Sequence, residues 1–201
     1  MTAVYSPLVE RALRRAARAH RHQTRKSSDL PYFQHAASVV LILARCGFDQ
    51  DDMLAAAALH DTLEDTDCTV ESLTAEFPES VVGLVQECSE QKKDASGNHR
   101  PWRDRKESHI DLVRGASVSA RAIILADKLH NLASMAFDLE QGEELWSRFN
   151  AGQSDVIWYH RAIVDAATEF SEEDAVPTAD LAKLNELVTA CRDLIDRLAT
   201  T

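Results

Sequence analysis

The chain has 201 residues, 45% of them hydrophobic, which is enough for one substantial core and excludes wholesale disorder. A formal net charge of −11 argues against a general nucleic-acid binder, so any phosphate-bearing ligand must be held by local basic clusters. No apolar run approaches a membrane span, and the arginines at 11, 14, 15 and 18 leave no signal-peptide stretch; a cytoplasmic protein with neither membrane nor nucleic-acid partner is expected.

With few Gly and Pro and abundant Ala, Leu, Glu and Arg, the composition favours helices. Pro7 precedes an amphipathic stretch from Leu8 to Arg21. A loop with Ser27, Ser28 and Pro31 follows. Phe33 to Cys46 carries Val39, Val40, Leu43 and Cys46 at helical spacing, and Gly47 is a stop. Asp49 or Asp51 is placed to cap the next helix, whose four alanines, Ala55 to Ala58, suggest close approach of another helix. Thr69 is a cap for Val70 to Phe77, and Glu79 to Cys88 resumes after Pro78.

Ser89 to Pro101, with its Gly97-Asn98 turn signal, reads as a mobile loop. Trp102 to Arg114 is a polar helix ended by Gly115, and Val118 to Ala136 is the most apolar one. A short helix is expected around Leu145, Trp146 and Phe149, and another over Asp155 to Phe170. The last helix follows Pro177 with a stripe of Leu181, Leu184, Leu187, Val188, Cys191, Leu194, Ile195 and Leu198. Strand-period alternation is absent, so the expected fold is all-α. Residues 1–175 are expected to form the domain, with 176–201 a helix packing on it or at the interface of a homo-oligomer.

The four cysteines, Cys46, Cys68, Cys88 and Cys191, form no CxxC pair and no zinc spacing; reduced, mostly buried thiols are expected. Two basic clusters stand out against the acidic background: Arg21, His22, Arg25 and Lys26, and Lys92, Lys93, Arg100, Arg103, Arg105 and Lys106.

The chemistry-bearing positions are His35, the pair His60-Asp61 and Asp127. Two imidazoles and two carboxylates can hold one divalent cation and leave room for a water nucleophile, which points to a hydrolase. Mixed nitrogen and oxygen donors suit Mn²⁺, with Fe²⁺, Co²⁺ or Zn²⁺ as other candidates. If the helix runs briefly past His60, Glu64 lies one turn below His60 and Asp65 one turn below Asp61, so two carboxylates able to orient water or move protons back the ligands. Asn131 lies one turn after Asp127, with Ser134 three residues further. A helix rich in Ile, Leu and Ala needs a reason to bury Asp127. The remaining histidines, at 20, 22, 99, 109 and 160, read as surface or packing residues.

Four blocks in order resemble the HD-domain hydrolases of the RelA/SpoT type, especially the small stand-alone alarmone hydrolases and the metazoan SpoT-homologue relatives. They are Arg25-Lys26-Ser27 with Pro31-Tyr32 and His35, Ala58 to Asp61 through Thr66, Phe77 to Val85, and Leu125 to Asn131. The resemblance implies a single helical HD domain with one Mn²⁺ on His35, His60, Asp61 and Asp127, and with Glu64 and Asp65 serving the attacking water. It also implies that Arg25 lies against the purine and that Lys26, Ser27, Asn131 and Ser134 contact base, sugar or phosphate. Lys92, Arg103 and Lys106 are weaker candidates for the pyrophosphate.

The implied reaction removes pyrophosphate from the 3′ position of guanosine tetra- or pentaphosphate, leaving GDP or GTP. Two other readings keep the fold: an HD phosphohydrolase for an adenosine alarmone or the NADPH 2′-phosphate, and a non-catalytic nucleotide-binding regulator.

Overall fold

Helix α1 (Pro7–Ala19) starts where the Ser6 hydroxyl accepts the Val9 amide at 3.3 Å, with Pro7 in the first helical position, where its missing N–H costs nothing. The structure is a computed structural model and describes residues 4–26, 29–94, 96–144, 146, 151–171 and 176–200. Ten helices and no β-strand occur among the described residues, as the composition predicts. The helices fall into two units, Met1–Arg100 and Pro101–Thr201.

The first unit is built around α3 (Asp51–Leu59), against which α1, α2 (Phe33–Arg45) and α6 (Glu79–Cys88) all pack. Ala55 to Ala58 are buried on every side, and side chains this small let three helices close in on one. Gly47 ends α2 with φ 84°, a conformation costly for any residue with a Cβ. Neither Asp49 nor Asp51 caps α3. Gln50 precedes it without a side-chain cap, and Asp51 and Asp52 fall inside the first turn, where their charge favours the positive end of the helix dipole. Two short helices follow, α4 (Thr62–Asp65) and α5 (Val70–Thr74). Thr69 caps α5 as expected, its hydroxyl accepting the Ser72 amide at 3.2 Å, but the helix stops before Phe77.

Turn contacts occur among the described residues after Ser89, on either side of residue 95. Asp94 Oδ1 accepts the Ser96 and Asn98 amides, both at 2.9 Å, Gly97 takes φ 82°, and Lys93 pairs with His99 in an antiparallel bridge.

The second unit centres on α8 (Val118–Glu140), packed by α7 (Trp102–Gly115), α9 (Gln153–Thr168) and α10 (Thr178–Ala199). Arg121 is buried in it and spends its guanidinium on backbone carbonyls: Ala116 at 2.9 Å, Arg114 at 2.6 Å and Glu169 at 2.6 Å. A buried cation is tolerable here because it closes the carbonyl ends of α7 and α9.

Helix α10 lays Leu184, Leu187, Val188, Cys191, Ile195 and Leu198 against α8 and α9, while Leu181 and Leu194 are only half-buried. The short helix expected near Leu145 and Phe149 lies outside the described residues. Of the cysteines, Cys88 and Cys191 are buried, whereas Cys46 and Cys68 are half-buried.

Candidate metal centre

His35 sits in the first turn of α2, and His60 and Asp61 form the turn between α3 and α4. The expected continuous helix past His60 is interrupted, for a local reason. The His60 Nδ1–H donates to the Ala57 carbonyl at 2.8 Å and the Thr62 hydroxyl donates to the Leu59 carbonyl at 2.7 Å. Side chains thus take two carbonyls that a continuing helix would use. The Asp65 amide still reaches the Asp61 carbonyl at 3.0 Å, so Asp65 stands one turn after Asp61.

The His60 contact orients its ring. A carbonyl only accepts, so Nδ1 carries a proton, and Nε2 is the nitrogen turned toward the cluster. That Nε2 lies 3.3 Å from His35 Nε2 and 2.9 Å from Asp61 Oδ2, and His35 Nε2 lies 3.4 Å from the same oxygen. Three donor atoms therefore converge in a site where both imidazoles are buried. Burial alone would push the Asp61 carboxyl up, but the charges and hydrogen bonds of His60 and His35 outweigh it and hold it well below the carboxylate range. An anionic oxygen flanked by two imidazole nitrogens fits a divalent cation, and a ring N–H anchored on a carbonyl is how ligating histidines are usually held.

Beside this cluster stand the two candidate proton-handling carboxylates, with oxygens of Asp61, Glu64 and Asp65 within 4.8 Å of one another. Glu64 Oε1 accepts the Glu90 amide at 2.6 Å, and Oε2 lies 3.3 Å from Lys92 Nζ. Lys92 also binds Asp65. Burial first, then the Asp61 charge, pushes the Glu64 carboxyl up to about 7 against the pull of Lys92 and the Glu90 amide. Burial would lower Lys92, but Glu64 and Asp65 raise it on balance. A carboxyl that titrates near neutrality can both take and return a proton.

A depression of about 440 Å³ opens here, lined by Gln23, Glu64, Asp65, Lys92, Lys93 and His99, a size suited to a small ligand. A smaller one of about 250 Å³ on the arginine face of α1 holds neither the histidines nor this acidic group.

In the second unit Asp127 is buried on α8. Lys128 Nζ donates to its Oδ2 and the Asn131 amide to its Oδ1, each at 2.6 Å. Ser134 donates its hydroxyl to the His130 carbonyl at 2.9 Å. Arg25 lies over the Tyr32 ring, 5.7 Å from its centroid, and Lys26 is exposed. Ser27 lies outside the described residues. His20, His109 and His160 are buried, which makes them packing residues. Sequence reasoning missed the Tyr32 contact with Asp61, the Lys92 bridge between Glu64 and Asp65, and Lys128 as partner of Asp127. Of these, only Lys128 carried a signal, as a charge beside Asp127 on an apolar helix.

Comparison with known proteins settles the family. A protein-family model described as "HD domain" matches residues 12–151. The chain belongs to the HD domain family. The HD match runs through the boundary at residue 100 and covers residues of both units. Among relatives, the Drosophila melanogaster guanosine-3′,5′-bis(diphosphate) 3′-pyrophosphohydrolase MESH1 is 35% identical over 153 residues, 75% of this chain and 80% of that protein. The Homo sapiens MESH1 is 37% identical over 122 residues, 60% of this chain; the chain spans 65% of the human protein's length. A solved structure described as a metazoan ortholog of SpoT that hydrolyzes ppGpp superposes with a TM-score of 0.73 at 28% identity, covering 94% of this chain and 97% of that one. The all-α HD fold expected from the sequence is thereby established.

Proposed function

We propose that this HD domain is a metal-dependent guanosine polyphosphate 3′-pyrophosphohydrolase, which converts guanosine 3′,5′-bis(diphosphate) or its pentaphosphate to GDP or GTP and pyrophosphate. The observation that carries the reading is the convergence of His35 Nε2, His60 Nε2 and Asp61 Oδ2 next to a Glu64 carboxyl held by the Glu90 amide and Lys92. The activities named for the MESH1 relatives and for the superposed structure support the choice of substrate.

Asp127 is the proposed fourth ligand. Its burial on an apolar helix and its place in the block matching the family's last motif support that role. A divalent cation, Mn²⁺ in our reading, would acidify a water and offset the charge growing on phosphoryl oxygens. The chain's own groups do the rest. Glu64, fixed through Oε1 by the Glu90 amide, takes the water's proton at Oε2 beside Lys92, and Asp65 orients that water. Arg25 covers the base, as a guanidinium placed over the Tyr32 ring is suited to do, while Lys26, Ser27, Asn131 and Ser134 contact base, sugar or phosphate.

No helix among the described residues is long and apolar enough to cross a membrane, in keeping with a cytoplasmic enzyme that acts on a diffusible nucleotide. The test is a panel of nucleotides offered to metal-free and Mn²⁺-loaded protein. Pyrophosphate from the guanosine substrate with Mn²⁺ alone is expected. Orthophosphate from NADPH, preference for an adenosine alarmone, or tight binding without turnover would each replace this reading.

A further inference from the structure

Tyr32 has a polar contact that its place before α2 does not require. Its hydroxyl donates to Asp61 Oδ2 at 2.5 Å, the same oxygen that faces His35 and His60. The ring is held from two sides: it stacks on the buried His20 with centroids 4.7 Å apart and planes at 27°, and it meets His35 edge-on at 5.5 Å. His20 is fixed in turn, its Nδ1 2.7 Å from Gln23 Oε1, while the Gln23 amide donates to the Asp65 carbonyl. One packed group, His20, Gln23 and Tyr32, therefore grips the chain at both Asp61 and Asp65. Asp61 lies in a turn outside regular helix, where nothing in the backbone ladder dictates its rotamer.

We infer that Tyr32 is a positioning residue, whose phenol holds the Asp61 carboxylate in the rotamer that faces the two imidazoles and so sets the affinity of the centre for its cation. The inference rests on the proposed metal centre. A carboxylate oxygen has two lone-pair directions, so Oδ2 can accept from Tyr32 and still serve as a ligand. Groups that orient ligating side chains in this way typically govern about 10- to 100-fold in metal affinity.

Tyr32→Phe keeps the ring, its stacking on His20 and its edge contact with His35, and removes only the hydroxyl. Mn²⁺ affinity is measured by titration calorimetry on metal-free protein for wild type, Tyr32→Phe, Asp61→Ala and the double variant, with thermal melts of the metal-free forms alongside. The expected result is binding about 10- to 100-fold weaker in Tyr32→Phe, with little further loss when the change is added to Asp61→Ala. Wild-type affinity in Tyr32→Phe overturns the inference while leaving the metal centre standing. So does an equal loss in both backgrounds, since the phenol would then act through the fold and not through Asp61. A wild-type protein that takes up no Mn²⁺ refutes the metal centre itself, and the inference falls with it.

Discussion

Lys92 Nζ sits 3.3 Å from Glu64 Oε2, on the side of the carboxylate left open once the Glu90 amide has taken Oε1. The pair gives Glu64 one fixed oxygen and one reactive oxygen. Glu64→Gln keeps the shape and the Glu90 contact and removes the proton acceptor. Turnover should fall by roughly 10²- to 10⁴-fold, with Mn²⁺ affinity within a few-fold of wild type. Steady-state kinetics and calorimetry check both; undiminished turnover would assign the proton to another group.

The same substitution should stabilise the metal-free protein at high pH. The Glu64 carboxyl titrates near 7 in the fold and at 4.5 ordinarily, so the folded state binds the proton more tightly than the unfolded one. The stability this proton confers is present below pH 4.5 and lost as pH rises through 7, after which the buried charge opposes folding. Metal-free Glu64→Gln should therefore melt higher than wild type at pH 8, by roughly 2–4 °C per kcal/mol, with the gap closing below pH 4.5. A lower melting point at pH 8 would show that the Lys92 contact outweighs the burial.

Asp127 and Lys128 should separate fold from function. The carboxylate is the partner of a buried ammonium at 2.6 Å, so Asp127→Ala leaves that charge exposed to a low dielectric and should cost about 3–5 kcal/mol. Asp127→Asn keeps a hydrogen-bond acceptor for Lys128 and should be milder. Both variants should lose Mn²⁺ binding and activity together, read by metal content and pyrophosphate release. Full activity in either removes Asp127 from the ligand set.

His160 is a buried neutral imidazole whose Nδ1–H donates to the Val156 carbonyl at 2.8 Å. Burial is the main force that pulls its pKa down from 6.5 to about 4. The unfolded chain binds this proton more readily, so the stability contribution is complete above pH 6.5 and is lost as pH falls toward 4. At about 1.4 kcal/mol per pH unit the interval is worth roughly 3 kcal/mol. Urea melts of the metal-free protein at pH 7 and pH 5 should show the fall, and His160→Leu should flatten it. An unchanged slope in His160→Leu would place the acid sensitivity elsewhere.

Arg25 is the sharpest test of the base contact. With its guanidinium over Tyr32, Arg25→Ala should raise KM about tenfold, the order of one lost cation–π and stacking contact, and leave kcat nearly unchanged. Equal KM values would argue against any stacking role.

Much of this is legible in the chain because burial and helical spacing speak directly: Ala55 to Ala58, the Gly47 stop and six of the eight α10 stripe residues follow from them, while Leu181 and Leu194 lie at the stripe's half-buried edge. The break at His60 was not, because it depends on Thr62 and His60 side chains competing for backbone carbonyls, which periodicity does not register. Nor could spacing place Lys92 against Glu64, 28 positions earlier, or Tyr32 against Asp61, since contacts across a fold leave no local pattern. The residue types of the centre were visible; the groups that hold and tune them required coordinates.

The most direct measurement pairs metal stoichiometry with product analysis: protein stripped by chelator, titrated with Mn²⁺, and assayed at each step for pyrophosphate from guanosine 3′,5′-bis(diphosphate). Release should be absent without metal and should rise in step with a single bound ion per chain. Full release in the stripped protein would contradict the account, as would an ion that binds equally well when His35 and His60 are both replaced by alanine.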